Sequence, residues 1–376
     1  MAYSASLRKA IGDLRLCLAA QGLARQSARF AEHGRHEPDP GAPLVLVACS
    51  GGRDSMALAA VSRIVCGMLG LRCGAVTIDH GIAADSAAVA ADVVARCRGL
   101  GLDPVVSRAV AVDRASATGL EAAARQARYG ALVDCARELG AAVVLLAHTR
   151  DDQAETVLIG LARSGGLNAI VGMPSAFRRG GVRFARPWLD VTRARTGAMC
   201  GELGLRWWDD PTNGDAADPD APLDASYPLR SRIRHDLIPA MTRCYGHDPT
   251  AALAAGAASA ALDADCLETA AARIAADVLS GDTLCGDEKD GSNDTGRRVL
   301  IDAARLADEH PALRRRVIVE ALRRAGASMS STHVEAIDRL TVDWHGQKPL
   351  SLPSGCTVIR KGHVIEVCKD SGHAYR

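Results

Sequence analysis

The sequence predicts an α/β fold: a parallel sheet covered by helices on both faces, with a helical C-terminal extension. Three observations lead there. Short, wholly apolar runs alternate with helical stretches through the first half of the chain. Each run is too short for a helix and too apolar for a half-exposed strand. Polar clusters at residues 50–55, 79–81 and 148–155 follow three of these runs, at the C-terminal strand ends where ligands bind in such sheets.

Residues 1–21 suggest one helix, and residues 31–43, rich in Pro, Gly and His, read as a mobile linker. Strands are expected at 43–49, 71–78, 103–109 and 141–147, each followed by a helix, at 55–68, 83–100, 119–139 and 151–162. Residues 163–190 are looser, with a short strand at 182–184, before a helix at 192–203. An Asp- and Pro-rich loop opens at Asp209 and runs to about Pro228, and 229–241 form a basic helix. Beyond a boundary placed near 248 come a long Ala-rich helix at 250–279 and a polar, mobile loop at 281–297. Helical segments at 299–306, 311–324 and 331–340 and short strands within 350–367 complete the chain. The expected organisation is an N-terminal helix and linker (1–42), a nucleotide-type domain (43–215), a linker with the basic helix (216–248) and a small α-rich module with a strand-containing tail (249–376).

Composition narrows the function classes. Of 376 residues, 48% are hydrophobic and 24% charged, which suits a globular protein. No segment has the roughly 18 apolar residues of a spanning helix, and the start lacks a signal-peptide core, so the expected location is the cytoplasm, with no membrane partner. The 12 cysteines contain no C-x-x-C pair, which speaks against a structural zinc or an iron–sulfur cluster. Cys49, Cys66, Cys73, Cys97 and Cys135 read as buried free thiols of a reducing compartment. The net charge of +1 gives no overall basic signature. Arginines nevertheless cluster between Phe177 and Arg234, and a local basic face is enough to bind a polyanion.

Ser50, Gly51, Gly52, Arg53, Asp54 and Ser55 lie between an apolar strand and a helix. Glycines let backbone N–H groups approach phosphate oxygens, and the helix N-terminus adds a favourable field. The G-K-[ST] ending of a Walker A loop and the G-x-G-x-x-G of a dinucleotide site are both absent. Asp54 carries the wrong charge to hold phosphate directly and reads as a Mg²⁺ ligand or a helix cap. Asp79 ends the second strand as a ligand for a cation or amine, or as a cap. Glu121, Arg125 and Arg128 share a helix face, as a surface ladder or as groups turned to a nucleotide. His148, Asp151, Asp152 and Glu155 leave the fourth strand together. Three carboxylates in one turn suit Mg²⁺–ATP, though a helix start also favours acids. Arg186 lies beside Trp188, and Arg230, Arg232 and Arg234 punctuate the basic helix, facing a polyanion or solvent.

The loop is identified as the S-G-G-x-D-S signature of the PP-loop, or N-type, ATP pyrophosphatases, a Rossmann-like, adenine nucleotide hydrolase-like group. These split ATP into AMP and pyrophosphate and adenylate a substrate. In order and spacing from about Pro43 to Met241 the motifs resemble one subfamily, the tRNA(Ile)-lysidine synthetases. The most specific matching pieces are Asp210 to Asn213 and Arg232 to Pro239. The resemblance implies adenylation of the C2 oxygen of the wobble cytidine in a tRNA(Ile) with a CAU anticodon. The ε-amine of free lysine then attacks C2, and AMP leaves. It implies ATP and Mg²⁺, with Asp54 and Asp152 as metal ligands and Asp79 or Asp151 near the amine. It further implies tRNA or substrate contacts from Glu121, Arg125, Arg128, His148, Glu155, Arg186, Arg230, Arg232 and Arg234, and a homodimer. Two positions depart from the family pattern, Thr149 for a second His and Ser231 for Asn. The alternatives are a PP-loop tRNA thiolase, which the missing C-x-x-C disfavours, an amidating enzyme, which needs an ammonia donor, and a nucleotide-binding regulator without catalysis.

Overall fold

The structure, a computed structural model, describes residues 3–32, 36–81, 85–113, 119–285, 296–353 and 355–369, without the side chains of residues 120, 121, 282–285, 296–297 and 369. The centres of the two expected mobile segments, 33–35 and 286–295, lie outside the described residues. The chain divides into two compact units, 1–261 and 262–376.

In the first unit, helix α1 (Ala5–Ala20) precedes strand β1 (Leu44–Ala48) and helix α2 (Arg53–Leu69). Then follow β2 (Arg72–Asp79), α3 (Ser86–Gly99), β3 (Val105–Ala109), α4 (Leu120–Glu138), β4 (Ala141–Leu146) and α5 (Arg150–Arg163). After a short helix, α6 (Leu167–Ile170), come β5 (Ala176–Arg179), β6 (Val182–Ala185) and α7 (Arg193–Glu202). The unit closes with α8 (Leu229–Arg232), α9 (Ile238–Tyr245) and the start of α10 (Thr250–Val278).

The sheet order is β3-β2-β1-β4-β6-β5. All neighbours are parallel except the β5–β6 hairpin at one edge. Every residue of β1 is buried, because both faces are covered. Val45 and Val47 pack with α1, α2, α3 and α7, while Leu44, Leu46 and Ala48 pack with α4 across the sheet. α1 is more than a leading segment. Its Leu7, Leu14 and Leu18 are fully buried, and Trp188, also fully buried, donates its indole N–H to the Ala10 carbonyl at 3.2 Å. Strand β5 was not expected. Its exposed edge position leaves little apolar pattern to read.

The basic segment departs from a regular helix. Residues Ile233–Leu237 form a π-helical turn between α8 and α9. Pro239 has no N–H to donate to the His235 carbonyl and its ring clashes there, so the ladder widens one turn earlier.

The second unit holds a five-stranded sheet, ordered β7 (Leu279–Cys285), β8 (Gly296–Asp302), β11 (Val364–Lys369), β10 (Cys356–Lys361) and β9 (Leu350–Leu352), all antiparallel. Helices α11 (Ala303–Ala307), α12 (Pro311–Arg324) and α13 (Ser331–Val342) accompany it. The strands extend well before the expected tail. β7 overlaps the start of the stretch read as a loop, whose polar composition masks it, while β8 runs on into the segment expected to be helical at 299–306, of which only Ala303 onward is helix; the run Val299-Leu300-Ile301 suits a strand. On α13, Asp338 is buried between Arg314 and Arg315 of α12, the latter at 2.9 Å.

Burial alone would raise the Asp338 carboxyl, but hydrogen bonds from Arg314 and Arg315 outweigh it and hold the group below its ordinary value. A folded-state value below the unfolded one contributes stability above about pH 4, lost as the pH falls. Asp338→Asn should therefore lower the opening free energy of α12 and α13 amides by about 3 kcal/mol at pH 7. The difference from wild type should shrink below about pH 4, as read by hydrogen exchange.

Candidate nucleotide and acceptor site

The loop after β1 has the conformation its sequence demands. Gly51 sits at φ +86°, and a Cβ there would lie 2.3 Å from Val93 Cγ2 on α3. Only glycine meets both conditions. Gly52 is the N-cap of α2 and offers no side chain to its first N–H groups, which leaves them to a ligand. Ser55 Oγ donates to the Gly52 carbonyl at 2.9 Å, and Ser50 Oγ is 3.3 Å from Ser55 Oγ. The Trp208 N–H holds the loop from outside, donating to the Gly51 carbonyl at 2.9 Å.

Two cavities meet at this loop. The first, about 310 Å³, is charged: six arginines (53, 125, 128, 193, 230 and 234) and four aspartates (54, 152, 209 and 215) line it. The second, about 460 Å³, is walled largely by Val76, Ile78, Val89, Ala90 and Leu132, with Asp79 and His80 at one side. Ala48, Ser50, Arg128 and Trp208 line both.

Helix α5 supplies the acids. Thr149 and Asp152 form a capping box at its start, with Asp152 Oδ2 accepting from the Thr149 N–H and hydroxyl at 2.8 Å each. Threonine caps well, which accounts for that departure from the family pattern. Burial works to raise the Asp152 carboxyl, but the Thr149 N–H and the guanidinium charges of Arg230 and Arg234 oppose it, and the group is held low. Its Oδ1 lies 3.9 Å from Arg230 and 3.8 Å from Arg234. Asp151 turns elsewhere. Its Oδ2 accepts the Arg193 backbone N–H at 2.9 Å, and it lines neither cavity.

Glu155 is fully buried. Arg230 reaches it at 3.1 Å and Arg234 at 2.6 Å, while Arg230 also donates to the Asp152 carbonyl at 3.2 Å and to Thr156 Oγ1 at 3.3 Å. Burial pulls the carboxyl up and the Arg234 guanidinium down, and their mutual attraction opposes both. With two donors on one carboxylate, the group is ionised. Ser231 Oγ donates to the Thr212 carbonyl at 2.8 Å, so serine keeps a polar tie where the family has Asn. Arg232 lines neither cavity.

Asp54 accepts from the Thr196 hydroxyl, with Arg193 Nε at 3.6 Å. Burial raises its carboxyl above the ordinary range, Asp152 adds to the rise, and Thr196, Arg193 and Arg53 oppose it. His148 lines the charged cavity; burial and neighbouring arginines push its imidazole down to about 3. It accepts from Arg186 Nε at 3.1 Å. Arg186 is 4% exposed, bonded also to the Pro174 carbonyl and Tyr129 hydroxyl, and braces His148 from behind rather than facing either cavity. Arg125 and Arg128 do face the charged cavity, while the Glu121 side chain lies outside the described residues. Asp79 accepts from the Gly81 N–H at 2.9 Å, and this bond with Ser86 lowers its carboxyl. Sequence reasoning missed Arg193, Asp209 and Asp215 as lining residues. None stands in a spacing pattern that signals a ligand.

A family profile described as the PP-loop domain matches residues 23–241, and one described as the TilS substrate binding domain matches residues 301–365. The tRNA(Ile)-lysidine synthase of Bifidobacterium longum (strain DJO10A) is 52% identical over 391 aligned positions, covering 100% of both chains. That of Bifidobacterium animalis subsp. lactis (strain AD011) is 46% identical, covering 100% of this chain and 98% of its own. That of Streptomyces coelicolor is 44% identical, covering 86% and 84%.

Truncating Glu155 would leave two half-buried guanidiniums facing each other. Glu155→Ala is therefore expected to destabilise the fold by about 3 kcal/mol in urea denaturation, a stability loss that accompanies any effect on activity.

Proposed function

The chain belongs to the tRNA(Ile)-lysidine synthase family, and from that premise we propose how its two cavities divide one reaction. The enzyme is an ATP-dependent ligase that modifies tRNA. It joins lysine to C2 of the wobble cytidine of tRNA(Ile) with a CAU anticodon, through an adenylated tRNA, giving lysidine, AMP and pyrophosphate. A thiolase reading has no support from a relative 52% identical over the full length that carries the synthase name.

The observation that carries the division is the placing of the glycine loop. It lies where a charged cavity and an apolar one meet, and Ser50 lines both. The apolar cavity suits a base, and the charged one suits the polyphosphate. The N–H groups at the start of α2, with Ser50 and Ser55, hold phosphate oxygens. Arg128, which lines both cavities, stands near the phosphate where adenylation occurs. The C2 oxygen of cytidine attacks the α-phosphorus and pyrophosphate departs. That step turns a poor electrophile into one with a good leaving group. The lysine ε-amine then attacks C2, loses a proton, and AMP leaves with the former C2 oxygen.

Magnesium belongs to the same proposal. Asp54 and Asp152 both line the charged cavity, and no cluster of three metal-ligating side chains occurs among the described residues. Such a pair fits Mg²⁺, which takes one or two carboxylates and completes its shell with phosphate oxygens and water. Bound there, it would neutralise charge on the phosphates. Arg230 and Arg234, fixed by Glu155, present positive charge toward the acceptor RNA. A carboxylate near the amine must orient it without keeping its proton. Of Asp79 and Asp151, only Asp79 lines one of the two cavities that meet at the loop. Free lysine as the amine donor, the homodimer and a cytoplasmic location complete the proposal and rest on the family. No helix among the described residues is long and apolar enough to cross a membrane.

Purified protein should release pyrophosphate from ATP only with Mg²⁺ and tRNA(Ile) bearing a CAU anticodon, and labelled lysine should enter the RNA. Labelled sulfur or ammonia entering instead would contradict the reading. Asp54→Asn should cut turnover at least about 100-fold while tRNA binding, measured by filter retention, stays within about twofold. Loss of tRNA binding as well would show that Asp54 is misassigned.

A further inference from the structure

Arg193 of the charged cavity has no use in the reading above. Arg193 opens α7, and its side chain is 15% exposed. Its Nε and one terminal nitrogen are buried without a hydrogen-bond partner. The carboxylates beside it stop short of bonding: Asp54 Oδ2 is 3.6 Å from Nε and Asp215 Oδ2 is 4.0 Å from the other terminal nitrogen. The other oxygen of Asp54 is already taken by Thr196.

Arg230 and Arg234 differ, because each is hydrogen-bonded to Glu155. The backbone of Arg193 is also held from two sides. Its N–H donates to Asp151 at 2.9 Å, and its carbonyl accepts from the Thr196 hydroxyl at 2.8 Å. A fixed backbone, a nearly buried guanidinium and unspent donors are the features of a preorganised anion holder. Buried N–H groups left unpaired are costly, and phosphate oxygens are strong acceptors for such groups. Arg193 lines the charged cavity and not the apolar one, so it stands on the polyphosphate side of the loop.

We propose that Arg193 grips the β- and γ-phosphates of ATP, and the pyrophosphate they become, from the start of α7 beside the glycine loop. This rests on the ATP reading of the two cavities. It adds a residue that separates ATP from AMP: the enzyme holds pyrophosphate through Arg193, while the adenylate rests on the loop and the apolar cavity. Asp54, beside the same guanidinium, gives up part of that pairing when phosphate arrives.

The test is equilibrium binding of ATP, AMP and inorganic pyrophosphate to the full chain with Mg²⁺, for wild type, Arg193→Gln and Arg193→Lys. Arg193→Gln should weaken ATP and pyrophosphate about 10- to 100-fold and leave AMP within about twofold. Arg193→Lys, which keeps the charge and loses the planar guanidinium, should fall between, and it decides the matter if the Gln variant fails to fold. Unchanged ATP affinity, or equal losses for ATP and AMP, would overturn the proposal. Wild type failing to bind ATP would instead remove the ATP reading, and this proposal with it.

Discussion

One buried carboxylate organises the site. Glu155 has no exposed surface and carries two guanidiniums, from Arg230 and Arg234. A charge taken so far from water persists only with partners, so α5 and the basic segment are fixed to each other. The Arg230 bond to the Asp152 carbonyl extends the tie to the first turn of α5. That turn also carries the capping box, and β4 beneath it pairs with β1. The acids of α5, the arginines after Pro228 and the loop after β1 are thereby held in one place, although far apart in sequence. The π-helical turn falls inside this segment, where Arg234 departs from the path a regular helix would give it.

The charge pattern explains how the loop works without the lysine of a Walker A motif. Positive charge comes from arginines on four other elements, α4, α7, α8 and the π-helical turn, and from Arg53 within the loop. Some of these arginines are already paired before any ligand arrives, as Arg230 and Arg234 are with Glu155. Arg125 and Arg128 show no ion pair among the described residues. A cavity with both kinds offers an anion some fixed geometry and some unspent charge. The apolar neighbour, sharing Ser50, Arg128 and Trp208, leaves the proposed reacting phosphate at the boundary between the two.

The sheet and its loops were legible because the signals are local. Apolar runs marked four of the five parallel strands, and the glycine pair marked a turn that the φ of Gly51 and its closeness to Val93 require. Tertiary relations were not legible. Asp151 and Asp152 are adjacent, but one residue is about 100° of helix rotation. One therefore binds the start of α7 and the other faces the cavity. Arg186 looked like a ligand and is a brace behind His148. Arg193 carries no motif, and only the approach of α7 to Asp54 reveals it. Thr149 and Ser231, departures when read against a family pattern, each make the local bond their position requires.

The central claim is that the cytidine oxygen itself is the group adenylated at this loop, and that amine attack then expels it. Oxygen tracing tests that most directly. A tRNA(Ile) carrying ¹⁸O at C2 of its wobble cytidine would be converted with ATP, Mg²⁺ and lysine, and the products weighed by mass spectrometry. The account predicts one ¹⁸O in AMP for each lysidine formed and none in pyrophosphate. Label retained in the modified RNA, or recovered in pyrophosphate or water, would contradict it.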